Sequence, residues 1–281
     1  MVSAGGNMAS AKIWHVCDGT QQLERVESLS GTPRAIFRRN DQVVTFFPQS
    51  RIAVAEVRES LGLFPSLLKS SDSSIGDFYR LKALGSERIA GFDADVFQLL
   101  PKDQLRYGYR VWSEKKTGLI IQVQTLDLNG KVLEQAAFSE LQLDAVVNVG
   151  KLSRSGNTDG YRVFRPELQK TTADAQGWAM SKSVDGFKPM GCYQRSVTAP
   201  AGSAGVEQKN TMQWVFSDGV ATVSLFLEAY DGRRHLREGI TNMGGATHTL
   251  TRRMEDWWTT AVGEVPPETL NTFAHALERK K

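Results

Sequence analysis

The 281-residue sequence predicts a mainly β protein that is built from two domains. Short runs of alternating apolar and polar residues follow one another along most of the chain, as in antiparallel sheets. Two dipeptides typical of hairpin turns, Asn129-Gly130 and Asp218-Gly219, separate such runs. A polar, Gly/Ser-rich stretch divides the strand-rich parts, so we expect a large domain over 1–150, a linker over 151–177 and a smaller β-rich domain over 178–281. The linker is expected to contain one short ordered piece, Tyr161–Phe164.

The first domain is predicted to be a meander of short strands interrupted by one helix. Apolar residues at helical spacing, Leu63, Phe64, Leu67 and Leu68, predict that 61–70 forms a short apolar helix or lid. Asn129-Gly130 favours a type I′ turn, since both central residues of that turn need a positive φ. The predicted strands are 11–18, 22–29, 33–39, 42–47, 52–58, 78–84, 86–90, 94–100, 106–113, 119–128 and 131–138.

The second domain is predicted to contain another set of strands and a C-terminal amphipathic helix. Pro267 suits the first turn of that helix, and Glu268 suits the positive end of its dipole. Leu270, Phe273, Ala274 and Leu277 would form its apolar face. The predicted strands are 188–197, 211–216, 220–228, 246–253 and 258–263.

Charge and cysteine content exclude several classes of function. The net charge is only +3, which argues against nucleic-acid binding; the first 150 residues hold 17 basic and 17 acidic residues, and the remainder hold 17 and 14. Cys17 and Cys192 stand far apart without a CxxC motif, so neither a zinc site nor a disulfide framework is indicated, and two unpaired thiols are expected. The sequence contains no run of about 18 apolar residues and no signal-peptide pattern.

No motif for catalysis or for a cofactor is found. The chain lacks a P-loop, the GxGxxG fingerprint and the GxSxG nucleophile elbow. His248 is expected to be a half-exposed sheet residue rather than a general base. The acidic residues are expected to be ordinary surface groups.

Two groups of residues are candidates for binding instead. Aromatic residues of the first domain could line an apolar cavity or fill an ordinary core, and composition leaves both open. The pairs Arg38-Arg39, Arg233-Arg234 and Arg252-Arg253 could be solvated or could bind phosphate or carboxylate. Because adjacent residues of a strand point to opposite faces, one of Trp257 and Trp258 must face away from the core. An exposed tryptophan beside basic residues would suit a partner-binding surface, and a contact between the domains would explain it as well.

Several segments, in order, resemble the sigma-E regulator family RseB/MucB. The resemblance covers nearly the whole chain. Its segments are Ile13-Trp14-His15-Val16-Cys17-Asp18-Gly19, Glu24-Arg25-Val26-Glu27-Ser28-Leu29, Gly31-Thr32-Pro33-Arg34, Arg106-Tyr107-Gly108-Tyr109-Arg110-Val111-Trp112, Thr117-Gly118-Leu119, Val132-Leu133-Glu134-Gln135, Gly177-Trp178, Gly186-Phe187, Phe216-Ser217-Asp218-Gly219 and Val262-Gly263-Glu264-Val265-Pro266.

The resemblance implies a periplasmic sensor without enzymatic activity or cofactor. The first domain would be a half-barrel with a helical lid, like the lipoprotein carriers LolA and LolB. The second would help to bind the periplasmic domain of a membrane anti-sigma factor of the RseA/MucA type. This binding would shield the anti-sigma factor from site-1 proteolysis. Lipopolysaccharide or another acyl lipid would release it, and a homo-oligomer is possible.

From these implications we select candidate residues. The expected lipid cavity comprises Phe37, Phe46, Phe47, Phe64, Leu67 and Leu68. The expected partner site comprises Arg233, Arg234, Arg253 and Trp258. Since a periplasmic protein must be exported, we also expect that codons upstream of Met1 encode a signal peptide, a helix and a first strand, of which 2–4 would be the end.

Two other functions fit the sequence less well. A periplasmic lipid or lipoprotein carrier without a signalling role shares the expected half-barrel, and a neighbouring anti-sigma gene would argue against it. A hydrolase would need a nucleophile–base pattern, which the sequence does not contain.

Overall fold

The computed structural model describes residues 2–4, 7–17, 19, 21–57, 75–197 and 209–280. Within these ranges the chain forms a six-stranded sheet, two seven-stranded sheets and a two-stranded ribbon. The prediction of a mainly β protein is therefore confirmed. The predicted lid at 61–70, with Phe64, Leu67 and Leu68, lies outside the described residues.

The N-terminal half supplies two of the sheets and two short helices, α1 (Ile75–Phe78) and α2 (Val149–Arg154). Its strands are β1 (Val2–Ala4), β2 (Asn7–Ala9), β3 (Ala11–Cys17), β4 (Gln22–Ser28), β5 (Ala35–Arg39), β6 (Gln42–Phe47), β7 (Ile52–Val57), β8 (Tyr79–Ile89), β9 (Phe92–Pro101), β10 (Gly108–Glu114), β11 (Ile120–Leu126), β12 (Val132–Ala137) and β13 (Arg162–Phe164).

These strands are ordered as the hairpin signals predict. Sheet I has the order β2-β1-β12-β11-β10-β9-β8, and sheet II has the order β13-β7-β6-β5-β4-β3. Neighbours are antiparallel except for β13, which pairs in parallel with β7. Because most neighbours are consecutive in the chain, short turns are sufficient to connect them.

The hairpin at Asn129-Gly130 is confirmed, but its predicted turn type is wrong. Gly130 has a φ of 83°, whereas Asn129 is not among the residues with positive φ. The backbone N–H of Gly130 donates to the carbonyl of Asp127, and the backbone N–H of Asp127 donates to the carbonyl of Lys131. The Asp127 carboxylate also accepts from the N–H groups of Asn129 and Lys131. This side-chain cap favours a three-residue loop with glycine in the left-handed position over a type I′ turn.

The C-terminal half forms sheet III, with the order β14-β16-β17-β18-β21-β20-β19, and a ribbon of β15 and β22. Its helix α3 spans Pro267–Ala276. The strands are β14 (Glu167–Thr171), β15 (Trp178–Met180), β16 (Lys188–Val197), β17 (Lys209–Ser217), β18 (Thr222–Ala229), β19 (Gly239–Gly244), β20 (Thr247–Met254), β21 (Trp257–Gly263) and β22 (Leu277–Arg279).

Helix α3 covers one face of sheet III, as its apolar pattern predicts. Leu270, Phe273 and Ala274 are buried, and they share a core cluster with Leu225 and Ala261 of the sheet. Period-two alternation places Leu225 and Ala261 on the face toward the helix. The residues that alternate with Leu225 in β18 and with Ala261 in β21 lie on the opposite face of sheet III.

The segment 151–177, expected to be a linker with one short ordered piece at Tyr161–Phe164, forms β13 at that piece, and further parts of it join sheets II and III. Leu152 of α2 and Tyr161 pack in the cluster on sheet II, and β13 extends that sheet. Strand β14 then extends sheet III by pairing with β16. Apolar residues within the polar stretch are sufficient to anchor it. The division into domains 1–150 and 178–281 stays a prediction.

Arg106 joins the two halves of the chain. Its side chain is fully buried, and its Nη1 lies 3.3 Å from Oδ2 of Asp218, which is also buried. Nη2 donates to the carbonyl of Asp185 at 2.6 Å, and Nε donates to Asp103. The guanidinium carbon lies 4.5 Å and 5.2 Å from the ring centroids of Phe78 and Phe187, respectively.

Asp218 uses its two carboxylate oxygens for different purposes. Oδ1 accepts the N–H groups of Val220 and Ala221 and thereby closes the turn of the β17–β18 hairpin. Oδ2 faces Arg106 and accepts from the hydroxyl of Tyr79 at 3.2 Å. Burial raises the pKa of Asp218, although these hydrogen bonds and Arg106 act in the opposite direction.

Further contacts cross the same junction. Thr269 Oγ1 donates to the Leu105 carbonyl at 2.7 Å, and Ala246 N–H donates to Glu134 at 3.1 Å. The tight packing also requires Gly186, whose added Cβ would lie 2.7 Å from Nη1 of Arg106.

We predict that Arg106→Met destabilises the protein by about 3–5 kcal/mol, because Asp218 would stay buried without its cation. Equilibrium urea unfolding measures the effect. As a matched control, Lys115→Met breaks the Lys115–Asp95 pair, whose side chains are about half exposed. That control should cost less than about 1 kcal/mol. Equal losses in the two variants would contradict the role of the buried pair.

Candidate functional site

The four residues predicted to bind a partner lie together at one end of sheet III. Trp258 pairs with Glu228 of β18 on one side and with Arg253 of β20 on the other. All three lie on the face opposite α3, because the neighbouring Thr259 is fully buried on the helix side. Arg233 and Arg234 lie in the loop that leaves β18 and leads to β19.

Trp258, which we selected as a partner-binding residue, is only 5% exposed. The His235 ring is stacked on it, with centroids 4.8 Å apart and planes 4° from parallel, and Tyr230 lies 6.1 Å away. The β18–β19 loop therefore folds back and covers the tryptophan. Trp257 is on the other face, where it packs at 5.5 Å against Trp178. We call Tyr230, His235 and Trp258 the aromatic stack.

Hydrogen bonds within the loop hold this stack in place. Nδ1 of His235 accepts the N–H of Asp231 at 2.9 Å, so Nε2 is directed at Glu228, 3.2 Å away. The Asp231 carboxylate in turn accepts the N–H of Arg233 at 3.0 Å. Nη2 of Arg234 lies 3.4 Å from the Glu228 carboxylate. The histidine is thus fixed by backbone and carboxylate contacts.

Arginines surround the stack, and we call Arg233, Arg234 and Arg253 the cationic surface; the first two lie close to the carboxylates of Asp231 and Glu228. The Arg253 guanidinium carbon lies 3.8 Å from the centroid of the Tyr230 ring, and its Nε donates to the carbonyl of Glu255. The Arg233 side chain is 96% exposed and lies 3.9 Å from Asp231. Planar guanidinium groups bind carboxylates through paired hydrogen bonds. The arrangement therefore suits a partner with acidic residues.

Sequence reasoning missed Glu228, Tyr230 and His235 as members of this surface. Glu228 and Tyr230 are two residues apart at the end of a predicted strand, and this spacing was the signal that they share a face. No local pattern relates His235 to Trp258, which is 23 positions later in the chain.

The described residues of the predicted lipid cavity do not share one surface. Phe37 and Phe46 are buried in a cluster with Leu152 and Tyr161, and the Cβ of an alanine at Gly156 would lie 2.4 Å from the Phe37 ring. Phe47 follows Phe46 in β6, so alternation places it on the other face of sheet II, where it is partly exposed. The structure therefore brings Phe37 and Phe46 together and separates Phe47 from them.

The other residues that the sequence drew attention to lie outside this surface. His248, expected to be half exposed, is buried, and the Tyr107 ring of the first half packs near it with ring centroids 6.4 Å apart. Cys17 and Cys192 are both free.

Among the described residues, no group of three or more His, Cys, Asp or Glu side chains is placed to hold a metal ion. No helix in the described part of the chain has the length and apolar character needed to cross a membrane.

Curated relatives and solved structures resemble this chain over most of its length. It is 26% identical to the sigma-E factor regulatory protein RseB of Haemophilus influenzae, over 86% of this chain and 73% of the relative. It is 25% identical to the sigma factor AlgU regulatory protein MucB of Pseudomonas aeruginosa, over 97% and 82%. The fold matches MucB in the Pseudomonas aeruginosa MucA/MucB complex with a TM-score of 0.72 at 22% identity, covering 100% of this chain and 91% of that one.

Two family models match the chain in sequence order. The MucB/RseB N-terminal domain matches residues 1–156, and the MucB/RseB C-terminal domain matches residues 172–278. Together they include sheet I, most of sheets II and III, and helix α3. The chain therefore belongs to the MucB/RseB family.

Proposed function

We propose that this chain is a periplasmic negative regulator of an envelope-stress sigma factor. It binds the periplasmic segment of a membrane anti-sigma factor of the MucA type and shields that segment from site-1 proteolysis. The observation that carries this proposal is the match of both halves to the MucB/RseB family models. The relatives' names and the solved MucA/MucB complex support it. The function needs only binding, without a catalytic residue.

The cationic surface around the aromatic stack is our proposed contact for that segment. The surface presents the guanidinium groups of Arg233, Arg234 and Arg253 over the aromatic stack. The excess of basic over acidic residues in the chain lies wholly after residue 150. Such groups orient an acidic partner and increase the rate of encounter. Trp258 contributes by supporting His235 and Tyr230 from below.

Lipid or lipopolysaccharide is proposed to release the segment by linkage. A ligand in the first domain lowers partner affinity only if it favours an arrangement that binds the partner less well. Contacts across the junction at Arg106 and Glu134 connect the first domain to sheet III and provide a physical route for this coupling. Phe47, on the partly exposed face of sheet II, is the described candidate for contact with an acyl chain.

Charge reversal at the surface should weaken partner binding. We expect that Arg233→Glu/Arg234→Glu lowers the affinity for the periplasmic segment at least about tenfold and reduces its dependence on salt, since close charge pairs contribute on the order of 1.5 kcal/mol or more. Calorimetric titration at two ionic strengths measures both effects. Lys115→Glu/Lys116→Glu on the first domain is the matched control. If the double variant at 233 and 234 binds like the parent, the surface is misassigned.

Lipid should lower partner affinity, and partner should lower lipid affinity by the same factor. A coupling of about 1–3 kcal/mol corresponds to roughly 5–150-fold. Titration of the full chain with the partner segment, with and without lipopolysaccharide, measures this factor. Deacylated polysaccharide is the control, and Phe47→Asp should weaken lipopolysaccharide binding while the unfolding midpoint is preserved. Affinities that are independent of lipopolysaccharide would contradict the release mechanism.

A further inference from the structure

Strand β19 at the edge of sheet III differs from the edge strand β8 of sheet I. Among the described strands it pairs only with β20, and residues Gly239–Met243 are exposed. Its sequence, Gly-Ile-Thr-Asn-Met-Gly, contains no charged residue. Ile240 and Met243 are 44% and 65% exposed, and Leu236 just before the strand is 80% exposed.

The edge strand β8 of sheet I shows how such an edge is usually protected. It carries Arg80, Lys82, Glu87 and Arg88, and its register is interrupted by a bulge between Ala83 and Gly85. Charges and bulges on an edge discourage pairing with another chain. In β19 the register with β20 is regular from Gly239 to Asn242, and only then does a bulge occur. The free edge of β19 is therefore regular over four consecutive residues, of which alternate ones direct their N–H and C=O groups outward.

The position of β19 connects the two regions that the proposed function requires. At its start, Gly239 pairs with Thr251, which is two residues from Arg253, one of the arginines around the aromatic stack. At its end, Gly244 pairs with Thr247, beside Ala246, whose backbone N–H donates to the carboxylate of Glu134 in the first domain. A segment laid along β19 would thus extend from the cationic surface to the domain junction.

We propose that an extended segment of the anti-sigma factor binds by adding a strand to the free edge of β19. Backbone hydrogen bonds to Gly239–Asn242 supply the pairing, and apolar side chains of the segment contact Ile240 and Leu236. Acidic residues at one end of the segment meet Arg233, whose side chain is 96% exposed, and the neighbouring arginines. This inference rests on the proposed function and names the binding mode of its partner.

The test uses the full chain and overlapping twelve-residue peptides that cover the periplasmic part of the MucA-type partner. For the peptide that binds best, single N-methylation at each position removes one backbone donor at a time. Strand addition predicts losses of about tenfold at alternate positions within a four-residue stretch, since outward N–H groups alternate. Losses without this period of two would overturn strand addition.

Variants of the protein give an independent readout. Ile240→Lys should weaken binding of the same peptide about tenfold and leave the unfolding midpoint unchanged, because the side chain is exposed. Ile240→Pro and Thr241→Pro remove adjacent N–H groups, of which one points to the free edge, so at least one of these variants should lose binding. Leu81→Lys, at a 65% exposed position on the edge strand β8, is the matched control and should bind normally.

The outcomes separate this inference from the proposed function. If the parent chain binds the peptide and Ile240→Lys binds it equally well, strand addition is wrong and the proposed function stands. If no peptide and no intact periplasmic segment binds the parent, both fail. If Ile240→Lys only abolishes self-association of the chain, β19 is an interface between copies and the inference is overturned.

Discussion

The buried ion pair of Arg106 and Asp218 is the constraint on which the arrangement of the two halves depends. Both side chains are fully buried, and desolvation of two charges costs several kcal/mol per ion. Their attraction offsets this cost only in the observed geometry, together with Tyr79, Asp103 and the carbonyl of Asp185. A buried pair of this kind contributes little net stability, but it strongly penalises arrangements in which one partner is alone.

This buried ion pair gives a common role to three segments that resemble the MucB/RseB family and lie far apart in the sequence. The segment beginning at Arg106, the Gly186-Phe187 pair and the Asp218-Gly219 hairpin turn all meet at the junction. Each has a local role, since Asp218 closes its own turn and Gly186 adopts a positive φ of 81°. Their common role is to surround one guanidinium group.

The junction and the cationic surface lie at opposite ends of sheet III. Strand β18 begins near Asp218 and ends near Tyr230, and its eight residues span about 26 Å. A ligand in the first domain therefore acts on the aromatic stack only through the sheet or through a segment bound along it. The six-residue edge strand β19 runs along β20 over about 20 Å of this distance, between the two ends.

The sequence by itself determined the elements whose signals are local. Alternation placed most strands within one or two residues, the apolar pattern of 267–276 identified the face of α3, and both Asx-Gly dipeptides marked hairpins. It also indicated the family, and it selected four candidate partner residues that the structure places close together. Strand β19 was missed because glycine and asparagine have low β-propensity, and β20 supplies the pairing that makes it a strand.

Only the tertiary structure decided which distant groups meet. The pairing of Arg106 with Asp218 spans more than a hundred residues, and neither residue has a neighbour in the sequence that indicates the other. Trp258 is buried rather than exposed because the β18–β19 loop folds His235 over it. The ordered packing of Leu152 and Tyr161 within a polar stretch likewise depends on sheet II being present to receive them. Such contacts depend on long-range burial, which composition and periodicity do not encode locally.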